Sequence, residues 1–183
     1  MIFESILIIG FAITLDLIFG DPRNKYHPTA WIGNFIGNLV PMFKNENAYF
    51  EKFGGIMIVL ISTATVGALL LLFNLKLDSI IGNEILTIII SIIVGAILLK
   101  TTIAIRGMEK HALRIVDALE NDNIDEARTN LAMITKRKTK DLDKNHVLSG
   151  ALESISENTV DGITGPLFYF ALFGLPGAFV YRV

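Results

Sequence analysis

The chain has 183 residues and no cysteine; 52% of its residues are hydrophobic, 19% are charged, and its formal net charge is −2. A soluble domain carries about 25% charged residues, so this composition favours a membrane protein. The slightly acidic balance gives no basic surface for nucleic acid, and the absence of cysteine excludes disulfides, thiolate catalysis and cysteine-ligated metal sites.

The first apolar stretch covers residues 2–19 and carries Glu4 near its start and Asp16 near its end. It lacks the basic start and the small-residue cleavage site of a signal peptide, so it is predicted to be a mature membrane helix. A carboxylate at the bilayer centre costs about 2.5–3.5 kcal/mol on insertion scales. Asp16 is therefore expected either at the membrane interface or facing a polar cavity, and the sequence leaves both readings open.

A polar region follows at residues 20–53 and begins with two turn signals, Gly20–Asp21–Pro22 and His27–Pro28. These turns place Asp21 and His27 where the chain leaves the membrane. A single histidine in such a place is more often structural than catalytic, so a role for His27 rests on its neighbours.

Two long uncharged runs, residues 54–73 and 85–99, predict two further membrane helices. About 20 apolar residues are needed to cross the bilayer core, and the second run reaches that length if it starts at residue 80. The alternative is a pair of helices buried in a soluble core. Such helices normally keep a polar stripe, which these runs lack.

The basic residues are distributed unevenly between the loops. Of sixteen Lys and Arg residues, four lie between residues 21 and 53, ten between 100 and 144, and only Lys76 in the link 74–84. Cytoplasmic loops near membrane spans are enriched in Lys and Arg. Residues 20–53 and 100–165 are therefore both predicted to be cytoplasmic, where they could build one site.

The second polar region is predicted to form helices at residues 101–120, 124–134 and 146–158, from apolar residues at three- and four-residue spacing. Between the last two lies the segment 135–146, "TKRKTKDLDKNH", with five basic and two acidic residues. It reads either as a solvated connector facing anionic headgroups or as a phosphate-binding loop. Composition favours the connector.

The helix at 146–158 places Glu153 and Glu157 four residues apart on one face, and Asp161 follows just past its end. Like charges at this spacing repel by a few tenths of a kcal/mol. Carboxylate oxygens so placed could hold Mg²⁺, although a solvated acidic face explains them as well. The stripe predicted to be buried consists of Leu148, Ala151, Leu152 and Ile155.

The last apolar stretch, residues 166–181, is interrupted by Gly174, Pro176 and Gly177. Proline inside a helix removes a hydrogen bond and bends the chain, so a broken or re-entrant segment is expected. The sequence thus predicts an all-α polytopic membrane protein, a single domain over 1–183 with three to four membrane-embedded helices and a cytoplasmic helical segment. The apolar end at residue 183 is expected to belong to a longer protein.

Two stretches resemble signatures of the CobD/CbiB family over essentially the whole chain. "DLIFGDPRNKYHPTAWIG", residues 16–33, is similar to the family's amino-terminal signature, with its Gly-Asp-Pro and His-Pro pairs. "ESISENTVDG", residues 153–162, resembles its central Glu-Asn-Thr-x-Asp-Gly core. Two departures are a lysine, Lys138, where the family has an acid in Arg-Asp-Thr, and the lack of the following Asn-Thr-Leu-Asp motif and carboxy-terminal region.

The resemblance implies adenosylcobinamide-phosphate synthase, an ATP- and Mg²⁺-dependent membrane ligase of cobalamin biosynthesis. It would join adenosylcobyric acid to aminopropanol phosphate or a related amino alcohol phosphate. The residues it implies as catalytic are Glu153, Glu157, Asp161 and His27. Substrate or phosphate binding would involve Arg137, Lys136, Lys140, Thr139, Asn158 and Thr159. The metal candidates are Glu153, Glu157 and Asp161, with Asp21 next.

The expected partners are the corrinoid, the amino alcohol phosphate and the lipid membrane, with a homo-oligomer or a complex with other cobamide-assembly membrane enzymes as further expectations. Two other classes remain open. A transporter would need polar residues inside the spans, which offer only a few Ser and Thr. A non-enzymatic membrane sensor, similar to the ampicillin-resistance regulatory proteins related to this family, would keep the fold without the chemistry.

Overall fold

The protein is all-α in the computed structural model, which describes residues 2–22 and 24–183 and, within them, all side chains except those of Asn24, Leu77 and Asp78. No strand occurs in these ranges. The helices are α1 (Ile2–Phe19), α2 (Pro28–Phe43), α3 (Ala48–Ile81), α4 (Glu84–Lys100), α5 (Ile105–Glu120), α6 (Ile124–Ala132), α7 (Lys144–Thr159) and α8 (Gly165–Tyr181), with a 3₁₀ turn at Asn24–Tyr26 and a π-helical turn at Val160–Thr164.

Four helical segments are long and apolar enough to cross a membrane: Ile2–Phe19, Ala48–Ile81, Glu84–Glu120 and Lys144–Tyr181. They confirm the prediction of a multi-pass membrane protein. The predicted span 54–73 lies inside the longer helix α3. The predicted start at residue 80 is wrong, because Gly82 adopts a φ of +62° and ends α3 there. The Asn83 side chain then caps α4 by accepting from the N–H of Leu86 at 3.1 Å.

The region 20–53 is more ordered than a solvated loop. It contains α2, whose first turns line a groove with Thr65 and Leu69 of α3 and whose last residue, Phe43, contacts Gly54 at the other end. The two helices are therefore antiparallel. A Cβ atom on Gly54 would lie 2.6 Å from the Phe43 carbonyl oxygen. Glycine at this position therefore lets the two helices approach closely.

Helix α8 folds back on itself at Gly174, whose φ of 66° and ψ of −156° are non-helical. A Cβ atom on Gly177 would lie 2.4 Å from the Tyr169 carbonyl oxygen, and one on Gly165 would lie 2.3 Å from the Tyr181 ring. In a straight helix Gly165 and Tyr181 would be about 24 Å apart. Each arm of the hairpin is at most about 14 Å long, so the fourth apolar segment, Lys144–Tyr181, is not one straight helix. The segment is thus broken at Gly174, as its glycines and proline predict.

Two apolar clusters hold the helices together. One joins α1, α3, α4 and α8 and contains Ala12, Val66, Leu99, Ile103, Phe170, Leu175, Ala178 and Phe179. The other joins α5, α6 and α7 and contains Ile115, Ala118, Leu119, Ala127, Leu131, Val147 and Ala151. The residues between Lys100 and Ile105 connect the two clusters, and the polar site is built around this connection.

The buried face of α7 differs from the predicted stripe. Val147, Ala151 and Ser154 are buried, whereas Leu148 and Leu152 are 44% and 61% exposed. The close approach of Leu131 selects this face, because its Cδ2 would lie 3.3 Å from a Cβ atom on Gly150. The prediction for Leu148 and Leu152 was therefore wrong, and both leucines lie on the outside of the α5–α7 cluster.

Candidate functional site

Asp16 joins the end of α1 to the start of α5. Its Oδ2 atom accepts hydrogen bonds from the backbone N–H groups of Ile105 at 2.9 Å and Arg106 at 3.1 Å, and the residue is fully buried. The Nζ atom of Lys100 lies 4.0 Å from its Oδ1. Asp16 is therefore enclosed by protein and does not face an open cavity. It satisfies N–H groups that a helix start leaves unpaired, in the place where the helix dipole favours a negative charge.

The end of α1 is capped in return by cations from α4 and α5. Lys100 donates through Nζ to the carbonyl oxygen of Gly20. Arg106 donates through one guanidinium nitrogen to the carbonyl oxygens of Leu17, at 3.0 Å, and Ile18. The last carbonyls of a helix have no partner within it, and cations are favoured there. These bonds fix the turn after α1 against the start of α5.

This fixed turn carries Asp21 and His27. The Nε2 atom of His27 lies 3.8 Å from Oδ1 of Asp21. Oδ2 of Asp21 would lie 2.8 Å from a Cβ atom on Gly107, so the carboxylate rests against the first turns of α5. The other ring nitrogen of His27, Nδ1, lies 2.5 Å from Oγ1 of Thr29. The hydrogen bond with Thr29 thus orients the imidazole, with Nε2 on the side of Asp21.

Burial lowers the pKa of His27 below its usual 6.5, and the positive charges of Lys100 and Arg182 act in the same direction, while Asp21 opposes them. The imidazole is accordingly neutral at pH 7. A neutral imidazole with one fixed nitrogen can take up a proton.

Asp161 lies in the π-helical turn between α7 and α8 and is tied to the end of α8. The hydroxyl of Tyr181 donates to its Oδ1 at 3.2 Å, and Arg182 donates to its backbone carbonyl oxygen at 3.1 Å. The next residue, Gly162, accepts at its carbonyl oxygen from the N–H of Ala104 at 3.0 Å. The turn is thereby attached to the start of α5. Single π-helical turns inside helices are frequent at functional sites.

The Asp21–His27 pair and the turn that holds Asp161 therefore both lie against the start of α5. Glu157 lies about one helical turn before Asp161 and is exposed. Asn158 and Thr159 bond to their own helix, through Nδ2 to the Ser154 carbonyl at 2.8 Å and through Oγ1 to the Ile155 carbonyl at 2.7 Å. Of the predicted residues on α7, Glu157 is thus the one that extends the site.

Glu153, which lies on α7 about two helical turns before Asp161, forms a separate pair with Arg137. The guanidinium donates to both carboxylate oxygens, at 2.6 and 2.5 Å, and the two side chains are 43% and 66% exposed. Thr139 is buried, while Lys136 and Lys140 are exposed. Asp143 starts α7 by accepting from the N–H of His146 at 2.9 Å, a hydrogen bond that lowers the pKa of its carboxyl. The segment 135–146 is thus anchored at Thr139 and Asp143.

The predicted acids do not form a metal cage by themselves. Within residues 2–22 and 24–183 no group of three or more His, Asp or Glu side chains could hold a metal ion together. Mg²⁺ is usually bound by one or two carboxylates together with phosphates and water. The oxygen donors of Asp21, Glu157 and Asp161 suit that mode, whereas both oxygens of Glu153 are engaged by Arg137.

Sequence reasoning did not assign four residues that shape the site, namely Lys100, Arg106, Tyr181 and Arg182. Lys100 and Arg182 each come directly after a long uncharged run, and this position was the available signal. Arg106 and Tyr181 carry no comparable signal, because their partners in α1 and the π-helical turn are distant in sequence.

Comparison with known proteins gives a consistent result. Residues 9–183 match the family described as CobD/Cbib protein. A probable cobalamin biosynthesis protein CobD of Thermoplasma volcanium is 35% identical over 178 residues, 97% of this chain and 55% of the relative. The cobalamin biosynthesis protein CobD of Dehalococcoides mccartyi is 35% identical over 181 residues, 98% and 56% respectively. No solved structure matches. The chain spans about half the length of these curated relatives.

Proposed function

Because the chain belongs to the CobD/CbiB family of cobalamin biosynthesis proteins, we propose that it provides the site of a membrane ligase that makes adenosylcobinamide phosphate. The ligase joins adenosylcobyric acid to aminopropanol phosphate, or a similar amino alcohol phosphate, at the expense of ATP. The relatives' names give cobalamin biosynthesis, and the Gly-Asp-Pro, His-Pro and Glu-Asn-Thr-x-Asp-Gly signatures support the particular reaction. The chain spans about half the length of the curated relatives, so the activity of those whole proteins is a proposal for it.

The reaction has two steps with defined requirements. A carboxylate oxygen of the corrinoid attacks the γ-phosphorus of ATP, so that ADP leaves and an acyl phosphate forms. The amine nitrogen then attacks the acyl carbon, inorganic phosphate leaves, and one proton is released. The site must therefore hold several anions close together and accept that proton. Phosphoryl transfer itself depends mainly on positioning and charge stabilisation.

The observation that carries the proposal is that the Asp21–His27 pair and the turn holding Asp161 both lie against the start of α5. His27 is our candidate for the proton acceptor, since burial keeps its imidazole neutral and Thr29 holds Nδ1. The proton would arrive at Nε2, on the side of Asp21, whose negative charge stabilises the imidazolium. A positioned base of this kind contributes roughly 10²–10⁴-fold to a rate.

The acids and cations of α7 and its flanking segments would divide the remaining tasks. Mg²⁺, when bound by Asp161, Glu157 or Asp21 with nucleotide phosphates, supplies neutralisation of the phosphate charge. Glu153 holds the guanidinium of Arg137 in place, and the fork geometry of arginine suits phosphate. Lys136 and Lys140 are exposed beside it and add positive charge. A cytoplasmic position of residues 20–53 and 100–165, supported by the basic bias of these regions, would give access to ATP.

The test uses the full-length protein in lipid nanodiscs with adenosylcobyric acid, aminopropanol phosphate, ATP and Mg²⁺. We expect ADP and adenosylcobinamide phosphate in equal amounts by mass spectrometry. Glu157→Gln should lower turnover strongly, whereas Glu120→Gln, at an exposed position at the end of α5, should leave it unchanged. If wild-type protein makes no amide but carries the corrinoid into sealed vesicles without ATP, the ligase assignment is wrong and transport replaces it.

A further inference from the structure

The site described above carries several acids next to anionic substrates. Asp21, Asp161 and Glu157 all lie near the start of α5 or one helical turn away from it. The proposed substrates bring further carboxylate and phosphate groups. Like charges repel strongly in a partly desolvated site, so a cation must face at least one of these anions.

Most cations around the site are already engaged by the protein. Lys100 and Arg106 donate to the carbonyl oxygens that end α1. Arg137 gives both ends of its fork to Glu153. Lys100 and Arg106 hold helix ends in place and would have to give up those partners to bind a substrate anion, whereas Arg137 belongs to the exposed pair two helical turns before Asp161.

Arg182 differs from these cations. It caps α8, is exposed, and donates from one guanidinium nitrogen to the Asp161 carbonyl oxygen at 3.1 Å. A guanidinium has five N–H donors, so this bond leaves most of the fork for another acceptor. The turn that holds Asp161 is bound through Gly162 to Ala104, at the start of α5, and Asp21 rests against Gly107 in the same part of that helix.

The hairpin in α8 is what delivers Arg182 to this position. Residues 161 and 182 would lie about 30 Å apart along a straight helix. The reversal at Gly174 returns the second arm to the π-helical turn, where the Tyr181 ring packs over Gly165 and stacks on Tyr169 with centroids 5.0 Å apart. The same arm therefore sets both the Tyr181 hydroxyl and the Arg182 guanidinium against Asp161.

We propose that Arg182 binds an oxyanion of the substrates beside Asp161, and that Tyr181 is a positioning residue that orients Asp161. The inference rests on the proposed function for the identity of the substrates, namely the corrinoid carboxylate and the amino alcohol phosphate. Both offer the planar or tripod arrangement of oxygens that suits the fork of arginine. The inference is that Arg182 binds an oxyanion. The experiment shows whether that oxyanion is the corrinoid carboxylate or the phosphate of the amino alcohol phosphate.

The binding arm of the test uses full-length protein in nanodiscs and isothermal titration calorimetry with two probes, inorganic phosphate and propionate. We expect wild-type protein to bind at least one probe, Arg182→Gln to lose that binding, and Arg182→Lys to keep part of it. Loss for phosphate assigns Arg182 to the phosphate, and loss for propionate assigns it to the carboxylate. No binding by wild-type protein, or equal binding by wild type and Arg182→Gln, overturns the proposal.

The kinetic arm separates substrate binding from a purely structural role. Arg182→Gln should raise KM for one anionic substrate about tenfold or more and lower kcat less, which is the signature of lost substrate binding. Tyr181→Phe removes the other tie to Asp161 without changing charge, and it should lower kcat with little change in KM. Identical effects of the two variants would mean that Arg182 only pins Asp161, which contradicts the proposal.

Two controls keep the result interpretable. Lys110→Gln removes an exposed cation of α5 and should leave probe binding and both kinetic constants unchanged. If Arg182→Gln does not fold, Arg182→Lys takes its place, since it retains the positive charge but loses the planar guanidinium. Wild-type affinity and KM in Arg182→Lys would contradict recognition by the guanidinium fork. Probe binding without amide formation would leave this inference standing while the proposed function fails.

Discussion

Two groups of charged residues, the Asp16–Lys100–Arg106 group and the Arg137–Glu153 pair, differ in what their side chains bind and in how far they are buried. In the first group every side chain bonds to backbone at a helix end, and Asp16 is fully buried. In the second, two side chains bond to each other in positions that are 66% and 43% exposed. The first arrangement fixes geometry, and the second remains open to exchange with solvent or a ligand.

The two groups should also differ in how much stability is lost when one partner is removed. Removing one partner of a buried charge pair leaves an uncompensated charge and orphaned backbone groups, which is costly. An exposed pair contributes roughly 0–1 kcal/mol, because water replaces either partner. We therefore expect substitutions to separate into effects on folding at the first group and effects on ligands at the second.

The largest expected effect is that of Asp16→Asn. The change removes the charge that faces Lys100 and weakens the cap on Ile105 and Arg106, so we expect a loss of about 3–5 kcal/mol in the free energy of unfolding. Denaturant unfolding in detergent measures it. Asp125→Asn, which breaks an exposed ion pair with Arg128, is the matched control and should cost less than about 1 kcal/mol. Equal costs for the two variants would show that the Asp16 group does not hold the fold.

The next effect tests the hairpin of α8. Gly177→Ala places a methyl group 2.4 Å from the Tyr169 carbonyl oxygen, so the arms must separate, at a cost of about 1–3 kcal/mol in the free energy of unfolding. Ligase activity should fall with it, since Tyr181 and Arg182 move with the second arm. The control is Gly10→Ala in α1, where nothing lies within 4 Å and alanine should be neutral or stabilising. A neutral Gly177→Ala variant would mean that the hairpin is open in the membrane.

A smaller effect concerns the pH dependence at His27. Its pKa lies below 6.5 in the folded protein, mainly through burial, so the unfolded chain binds more protons between the two pKa values. The free energy of unfolding should therefore decrease as the pH falls through 6.5 and level off below the folded pKa. His27→Asn should remove this slope, whereas His146→Asn, at an exposed position, should keep it. A wild-type slope of opposite sign would show that Asp21, rather than burial, dominates.

The smallest effect on stability is expected at the exposed pair. Arg137→Gln should change the free energy of unfolding by less than about 1 kcal/mol. The swap Arg137→Glu with Glu153→Arg keeps the ion pair and moves the cation to α7. If the pair serves to hold Arg137 for phosphate, the swap should retain the stability of wild type and lose activity. Wild-type activity of the swapped protein would exclude a specific role for Arg137.

How much of this could be foreseen depends on how local each signal is. The membrane helices follow from uncharged runs, and the break in α8 from Gly174, Pro176 and Gly177, because these are properties of adjacent residues. The α2 helix was missed as a separate element because two turn signals and flanking charges dominate the region 20–53. The buried face of α7 was misplaced, since the exposed residues Leu148 and Leu152 are as apolar as a core residue.

The residues of the candidate site also divide into those that adjacent residues in the sequence indicate and those that only the fold brings into place. The acids Glu157 and Asp161 and the pair Asp21 and His27 were predicted from short motifs. The caps made by Asp16 and Arg106 join residues 88–90 positions apart in sequence, and spacing alone cannot show such contacts. Arg182 reaches Asp161 because of the reversal at Gly174, so its place depends on a fold that the sequence only suggested.

Oxidative cross-linking in native membranes tests the meeting of the early turn with α5 most directly. The chain contains no cysteine, and a Cβ atom on Gly107 lies 3.9 Å from Cγ of Asp21, so Asp21→Cys and Gly107→Cys should form a disulfide. The positive control is Ala104→Cys with Gly162→Cys, whose Cβ atoms would lie 4.0 Å apart. With a protease site inserted after Asn45 for the first pair, and after Asn121 for the control pair, a linked pair keeps its two fragments together after cleavage. Separation of the fragments while the control pair cross-links would contradict the site described here.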